Sequence, residues 1–130
     1  MDDCFTRTAY NEEFATCGAN GVPAALNGRT ISIEPIQRLA NADIRSRALP
    51  SRKGSSPGIT EPSGGSDVAG MKTTARFDSG TYVINGSKSF ITGGMTSDFF
   101  VIGARTNGDG LTGISLFLWM QPHPDSRAHL

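Results

Sequence analysis

The sequence predicts an α+β protein in which a short helical N-terminal segment is followed by an antiparallel β-meander. Residues 11–50 hold apolar side chains at helical spacing, whereas beyond Gly58 the apolar period changes to two. Short apolar runs then alternate with turn sequences, and glycine makes up 16 of 130 residues, as in turn-rich β proteins. We therefore expect a helical part at 1–50, a β part at 51–120 and an irregular tail at 121–130.

The helical part contains recognisable capping residues. Asn11 is expected to cap a helix with an acidic first turn, because its side chain can accept hydrogen bonds from free N–H groups. Pro35 is expected to begin a second helix, where its missing N–H is harmless. Asn41 is expected to cap a short helix over Ala42–Ala48, and Pro50 is expected to end it.

A polar break separates the two parts. Residues 51–58 read Ser-Arg-Lys-Gly-Ser-Ser-Pro-Gly, with no apolar side chain except that of proline. This composition is typical of a linker or a domain boundary.

The β part is divided by turn sequences into short strands. The expected strands are Lys72–Phe77, Thr81–Ile84, Ser89–Thr92, Phe99–Arg105 and Ile114–Trp119. The turn Asn85-Gly86 accepts positive φ at both residues, so we expect a hairpin in which 81–84 and 89–92 pair. The run 99–105 is nearly continuous in apolar residues, which predicts burial on both faces.

Composition excludes several classes of function. Twelve basic and twelve acidic residues cancel, so nothing indicates electrostatic binding to nucleic acid or to an anionic membrane. No apolar run approaches the ~20 residues that a membrane span needs, and residues 1–10 do not resemble a secretory signal. Cys4 and Cys17 form neither a disulfide framework nor a metal-ligand spacing, which suggests free thiols in a reducing compartment.

Two segments carry the chemistry. The first, at 59–70, reads Ile-Thr-Glu-Pro-Ser-Gly-Gly-Ser-Asp-Val-Ala-Gly, and the second, at 82–93, reads Tyr-Val-Ile-Asn-Gly-Ser-Lys-Ser-Phe-Ile-Thr-Gly. By residue type alone, the first is a flexible loop and Glu61 a surface acid. The spaced glycines of a dinucleotide fingerprint are absent, and Lys88 does not directly follow a glycine as in a phosphate loop.

Taken together, in this order and at this spacing, the two segments resemble the FAD-dependent acyl-CoA dehydrogenase family. The strand that ends in Ala-Arg at Arg105 and the run 113–118 extend the resemblance, as does the helical part upstream, so that it covers roughly residues 11–118. It implies that the β part is an incomplete middle-domain β-barrel, preceded by the end of an N-terminal helical domain.

The resemblance also implies a flavin site. Its cofactor-binding residues would be Ile59, Thr60, Gly65, Ser66, Phe90, Ile91 and Thr92. Phe90 matches the aromatic residue that packs against the isoalloxazine ring, and Thr92 the hydroxyl that hydrogen-bonds near N5. Ser66 would face phosphate oxygens and also lie near the acyl-CoA. Gly64 and Gly65 would let the main chain approach the ligand closely.

Two departures from the family pattern carry expectations. The family's catalytic glutamate comes from a C-terminal helical domain that we expect these residues to lack, so no catalytic residue is named. The segment 51–58 is shorter and more polar than usual, so the first barrel strand is expected to be lost or frayed. Pro57 takes the position of one flavin contact and cannot donate a backbone hydrogen bond.

The implied reaction is α,β-dehydrogenation of an acyl-CoA thioester with FAD, and we expect the isolated fragment to be inactive. The alternatives are a non-catalytic remnant or β-domain binding module without flavin, and an acyl-CoA oxidase. The resemblance implies an electron-transfer flavoprotein as partner, assembly as a homotetramer or homodimer, and a cytoplasmic or mitochondrial-matrix location.

Overall fold

The computed structural model describes residues 4–19, 21–49 and 54–121. Within these ranges the α-helices are α1 (Cys4–Thr16), α2 (Gly21–Leu39) and α3 (Ala42–Ala48). The strands are β1 (Ser55–Gly58), β2 (Thr74–Asp78), β3 (Thr81–Asn85), β4 (Phe99–Arg105) and β5 (Ile114–Met120). Short 3-10 turns lie at Val68–Gly70 and Leu111–Gly113. None of the helices in the described ranges is long and apolar enough to cross a membrane.

The helical part confirms one predicted cap and corrects two helix starts. The Asn41 side chain accepts a hydrogen bond from the Ile44 N–H at 2.9 Å, so α3 begins as predicted. Asn11 instead lies inside α1, and Pro35 lies inside α2. Packing explains the second error: α2 buries Ser32 and Ile36, and tertiary contacts of this kind outweigh the one backbone bond that a proline removes. The predicted stop at Pro50 lies outside the described residues.

The sheet is mixed and open. Along the path β1-β4-β2-β3, β1 runs parallel to β4 from the pair Ser55↔Phe99 to Gly58↔Ile102, and β5 pairs with β4 along its full length in antiparallel register. β2 meets β4 in parallel through the single pair Thr74↔Arg105 and forms an antiparallel hairpin with β3. The predicted α+β class is therefore confirmed, whereas a purely antiparallel meander is wrong.

The predicted strand over 89–92 is absent. After β3 the chain leaves the sheet at Gly86, and residues 86–98 form loops and turns instead of pairing back. A Cβ on Gly86 would lie 2.8 Å from the Thr73 Cα, so the chain passes close to the residue that precedes β2 as it leaves the sheet. The segment 88–92 is thereby free to contact the loop that follows β1.

The polar segment before Ile59 forms a strand after all. Ser55 and Ser56 are 3% and 0% exposed, although polar residues were expected to fray here. Each hydroxyl is paired: Ser55 Oγ lies 2.8 Å from Ser32 Oγ on α2, and Ser56 Oγ lies 2.7 Å from Ser97 Oγ. Buried hydroxyls are tolerated when hydrogen-bonded, so β1 takes its place beside β4.

The core is small. Among the described residues it centres on Ile36, Ala48, Phe99 and Val101, with Ala40 and Leu118 packed against it. Several large apolar side chains of β2, β3 and β5 are exposed instead, namely Phe77, Tyr82, Val83, Leu116, Trp119 and Met120. So little buried apolar area leaves stability sensitive to single substitutions.

Candidate functional site

The two sequence segments lie side by side in the fold. Lys88 Nζ donates to the Ile59 carbonyl at 3.0 Å and to Glu61 Oε1 at 3.0 Å. One residue further on, the Ser89 N–H donates to the Thr60 carbonyl at 2.9 Å. Residues far apart in sequence are thus joined by three hydrogen bonds, and the loop after β1 is held against the segment after β3.

We call the hydrogen-bonded contact of Lys88 and Ser89 with residues 59–61 the junction, and the Glu61 carboxylate lies at its centre. Its side chain is 6% exposed and accepts the N–H groups of Lys72 at 2.7 Å and Thr73 at 2.8 Å, the Thr73 hydroxyl and the Lys88 ammonium. From residue type alone Glu61 passed for a surface acid, and that interpretation is wrong. The signal that could have found it is the adjacent Pro62, which directs the chain into a turn, together with a lysine in the second segment.

The groups around Glu61 determine the pKa of its carboxyl group. Burial raises its pKa, but hydrogen bonds from the Thr73 hydroxyl, from the N–H groups of Lys72 and Thr73 and from Lys88 outweigh burial and lower it from 4.5 to about 2. Each of these donors favours the ionised carboxylate. Glu61 is therefore a structural anion over the whole physiological pH range.

A pH dependence of stability follows. Because the folded-state pKa of Glu61 is depressed, its contribution is fully present above pH 4.5 and is lost as pH falls towards about 2. Full loss would lower the free energy of unfolding by roughly 3 kcal/mol. Urea unfolding between pH 6 and pH 2 measures this, and Glu61→Gln should flatten that part of the profile. An unchanged slope in this variant would contradict the assignment.

The loop between the junction and β2 is held at both ends. Glu61 and Gly64 exchange backbone hydrogen bonds of 2.9 and 3.1 Å, and the Asp67 carboxylate caps the 3-10 turn by accepting from the Gly70 N–H. The Arg105 guanidinium then donates to the carbonyls of Ala69 and Met71. Ser66 lies exposed between these anchors.

The sequence-predicted residues fall into two groups. Ile59, Thr60 and Ile91 are half-buried, whereas Gly65, Ser66, Phe90 and Thr92 are exposed. The junction brings Ile59 and Thr60 against the segment that carries Phe90 and Thr92. In the described part of the chain, no hydrogen bond joins Ser66 to that segment.

The exposed groups suit a flat, heteroatom-rich ligand such as a flavin. Within the described ranges, the hydroxyls of Thr60, Ser66 and Thr92 make no hydrogen bond to protein, so all three can serve a ligand. The Phe90 ring is 91% exposed on a backbone with φ of 56°. A left-handed phenylalanine is strained by roughly 1–2 kcal/mol, and the exposed side chain leaves the ring open to contact by a ligand. The donor set therefore fits a flavin ring.

The fold and these two segments define the chain as a domain of the acyl-CoA dehydrogenase type. The family model described as "Acyl-CoA dehydrogenase, middle domain" matches residues 56–129, more than half of the chain. This protein belongs to the acyl-CoA dehydrogenase family.

Relatives and solved structures agree with this assignment. The Emericella nidulans protein named acyl-CoA dehydrogenase apdG is 36% identical over 116 residues, which is 84% of this chain and 26% of that protein. A probable acyl-CoA dehydrogenase from Mycobacterium abscessus superposes with a TM-score of 0.74 at 38% identity, over 81% of this chain and 29% of that one. A glutaryl-CoA dehydrogenase from Mycobacterium smegmatis, solved in complex with FADH2, superposes with a TM-score of 0.64 at 33% identity, over 72% of this chain and 24% of that one. The chain spans about a quarter of the length of these proteins.

Proposed function

We propose that residues 59–66 and 88–92 form the flavin-facing side of an acyl-CoA dehydrogenase site, acting in α,β-dehydrogenation of an acyl-CoA thioester. The observation that carries this proposal is the double contact of Lys88 with Ile59 and Glu61, which sets the two segments edge to edge. Family membership and the FADH2 complex of a similar enzyme support the choice of ligand.

The chain's own residues would bind and orient the ligand. Thr60 and Thr92 offer hydroxyls with no protein partner in the described ranges, and Phe90 offers an apolar wall. Ser66, exposed on its anchored loop, would meet phosphate oxygens and the acyl-CoA. FAD, when bound, supplies the acceptor for the hydride that leaves the substrate β-carbon.

Glu61 is unsuited to be the base that removes the substrate α-proton. A general base works best with a pKa near the operating pH and a lone pair free to face the substrate. Glu61 has a pKa of about 2 and is engaged by four donor groups. We therefore propose that Glu61 holds the two segments together and that a different residue serves as the base.

Titration of the purified chain with FAD tests the proposal. We expect flavin fluorescence to change on binding, with Thr92→Val weakening affinity roughly 5-fold through one lost hydrogen bond. Phe90→Ala should weaken it to a similar extent by removing the aromatic contact. Phe5→Ala is the matched control, because Phe5 is 84% exposed on α1, outside both segments.

Two outcomes would contradict the proposal. A chain that is folded by circular dichroism but leaves FAD fluorescence unchanged would favour a β-domain binding module without flavin. Equal losses in Phe5→Ala and Phe90→Ala would show that binding does not use the two segments.

A further inference from the structure

A buried pair of serine hydroxyls lies directly behind the Thr92 turn. Ser56, at 0% exposure in β1, has its Oγ 2.7 Å from the Thr92 carbonyl oxygen and 2.7 Å from Ser97 Oγ. Ser97 itself is 2% exposed. Neither side chain is open to solvent, so both hydroxyls form their hydrogen bonds within the protein.

The direction of these bonds follows from proton counting. A serine hydroxyl has one proton, and a carbonyl oxygen can only accept. The Ser56 proton is therefore used on the Thr92 carbonyl, and Ser97 must donate to Ser56 Oγ. The result is a one-way chain, from Ser97 to Ser56 to Thr92, in which each bond polarises the next.

This chain of hydrogen bonds lies against a tight backbone turn next to Thr92. The Thr96 and Ser97 N–H groups both donate to the Gly93 carbonyl, at 2.9 and 3.0 Å, which closes a tight turn. Gly93 has φ of 76°, and a Cβ there would lie 3.0 Å from Ser56 Oγ. The hydroxyl pair is thus packed against the turn, with Thr92 at its rim and the Thr92 side chain outside.

We infer that Ser56 is a positioning residue for the flavin contact: with Ser97, it fixes the Thr92 carbonyl and so aims the Thr92 hydroxyl at the ligand. This inference rests on the proposed function, which supplies the role of Thr92. Ser56 touches no ligand itself and acts through the backbone of the turn.

A neighbouring serine offers a matched control. Ser55 is 3% exposed on the same strand and also makes a buried hydroxyl pair, but with Ser32 on α2. Ser55→Ala and Ser56→Ala each remove one buried hydroxyl of β1 and should lower Tm by similar amounts. Only Ser56→Ala should loosen the Thr92 turn.

The experiment compares these two variants by amide hydrogen exchange and by FAD titration of the 130-residue chain. In Ser56→Ala we expect the Thr96 and Ser97 amides to exchange roughly 5-fold faster and FAD affinity to fall roughly 5-fold. The visible absorption band of the bound flavin should also shift, because the hydroxyl near the ring is displaced. Ser55→Ala should leave all three readouts unchanged.

A double variant separates positioning from stability. In Ser56→Ala/Ser97→Ala no hydroxyl is left unpaired, so Tm should recover relative to Ser56→Ala. The Thr92 carbonyl still lacks its donor, so fast exchange and weak FAD binding should persist.

Equal exchange of the turn in Ser55→Ala and Ser56→Ala would overturn the inference, as would recovery of FAD affinity in the double variant. Failure of the unaltered chain to bind FAD would refute the proposed function instead. The exchange comparison would then still decide whether Ser56 holds the turn.

Discussion

Replacing Gly113 by alanine is expected to lower the free energy of unfolding by about 3 kcal/mol. A Cβ at this position would lie 1.9 Å from the Asn107 carbonyl oxygen and 2.7 Å from that of Gly108. Both obstacles are backbone atoms, which cannot rotate away as a side chain can. The Gly113 carbonyl also accepts from the Thr106 N–H at 2.9 Å, so the turn between β4 and β5 would shift as a unit.

Thermal unfolding followed by circular dichroism measures this effect, with an expected drop in Tm of roughly 10 °C. Gly21→Ala is the control, because a Cβ at the start of α2 meets nothing within 4 Å. That variant should change stability by less than about 0.5 kcal/mol. Similar losses in the two variants would show that the turn does not pack as described.

Removing the Glu61 carboxylate should cost about 3–5 kcal/mol. In Glu61→Ala, the N–H groups of Lys72 and Thr73 lose their acceptor, and the Lys88 ammonium loses its buried partner. The Lys88 side chain is only 12% exposed, so water cannot fully replace the carboxylate. Because this change also releases segment 88–92 from the loop after β1, FAD binding should fall with stability.

An exposed pair on α2 provides the control for this prediction. Glu34 and Arg38 approach to 2.7 Å, but their side chains are 55% and 74% exposed. Glu34→Ala should therefore cost no more than about 0.5 kcal/mol. In Glu61→Gln/Lys88→Met no buried charge is left unpaired. Urea unfolding should therefore show that this double variant regains part of the stability that Glu61→Ala loses. A loss in Glu34→Ala equal to that in Glu61→Ala would contradict the importance of burial.

Local features were predictable wherever a few neighbouring residues decide the outcome. Asn41 caps α3 through a bond to the N–H three residues later, which a sequence displays directly. The apolar runs of β4 and β5 are joined by the turn sequence at 107–110, and their antiparallel pairing follows from it. Asn85-Gly86, by contrast, ends β3 without forming the expected hairpin, because the segment that follows bonds to the loop after β1.

In the candidate site, likewise, the sequence indicated the residues but not their contacts. Thr60, Ser66, Phe90 and Thr92 stand out in the sequence by the order and spacing of two segments. The contacts at the site cannot be read from the sequence, because the hydrogen bonds from Lys88 to Ile59 and from Ser56 to Thr92 join residues that are 29 and 36 positions apart.

By itself, the sequence determined the family and the α+β class, and it singled out the residues that we propose for a flavin site. The tertiary structure decided which of these residues meet, that Glu61 is a buried anion, and that the polar residues before Ile59 form a strand. The physical reason is that buried polar groups are stable only with partners. The partners of Ser56 and Glu61 lie in distant segments that folding alone brings together.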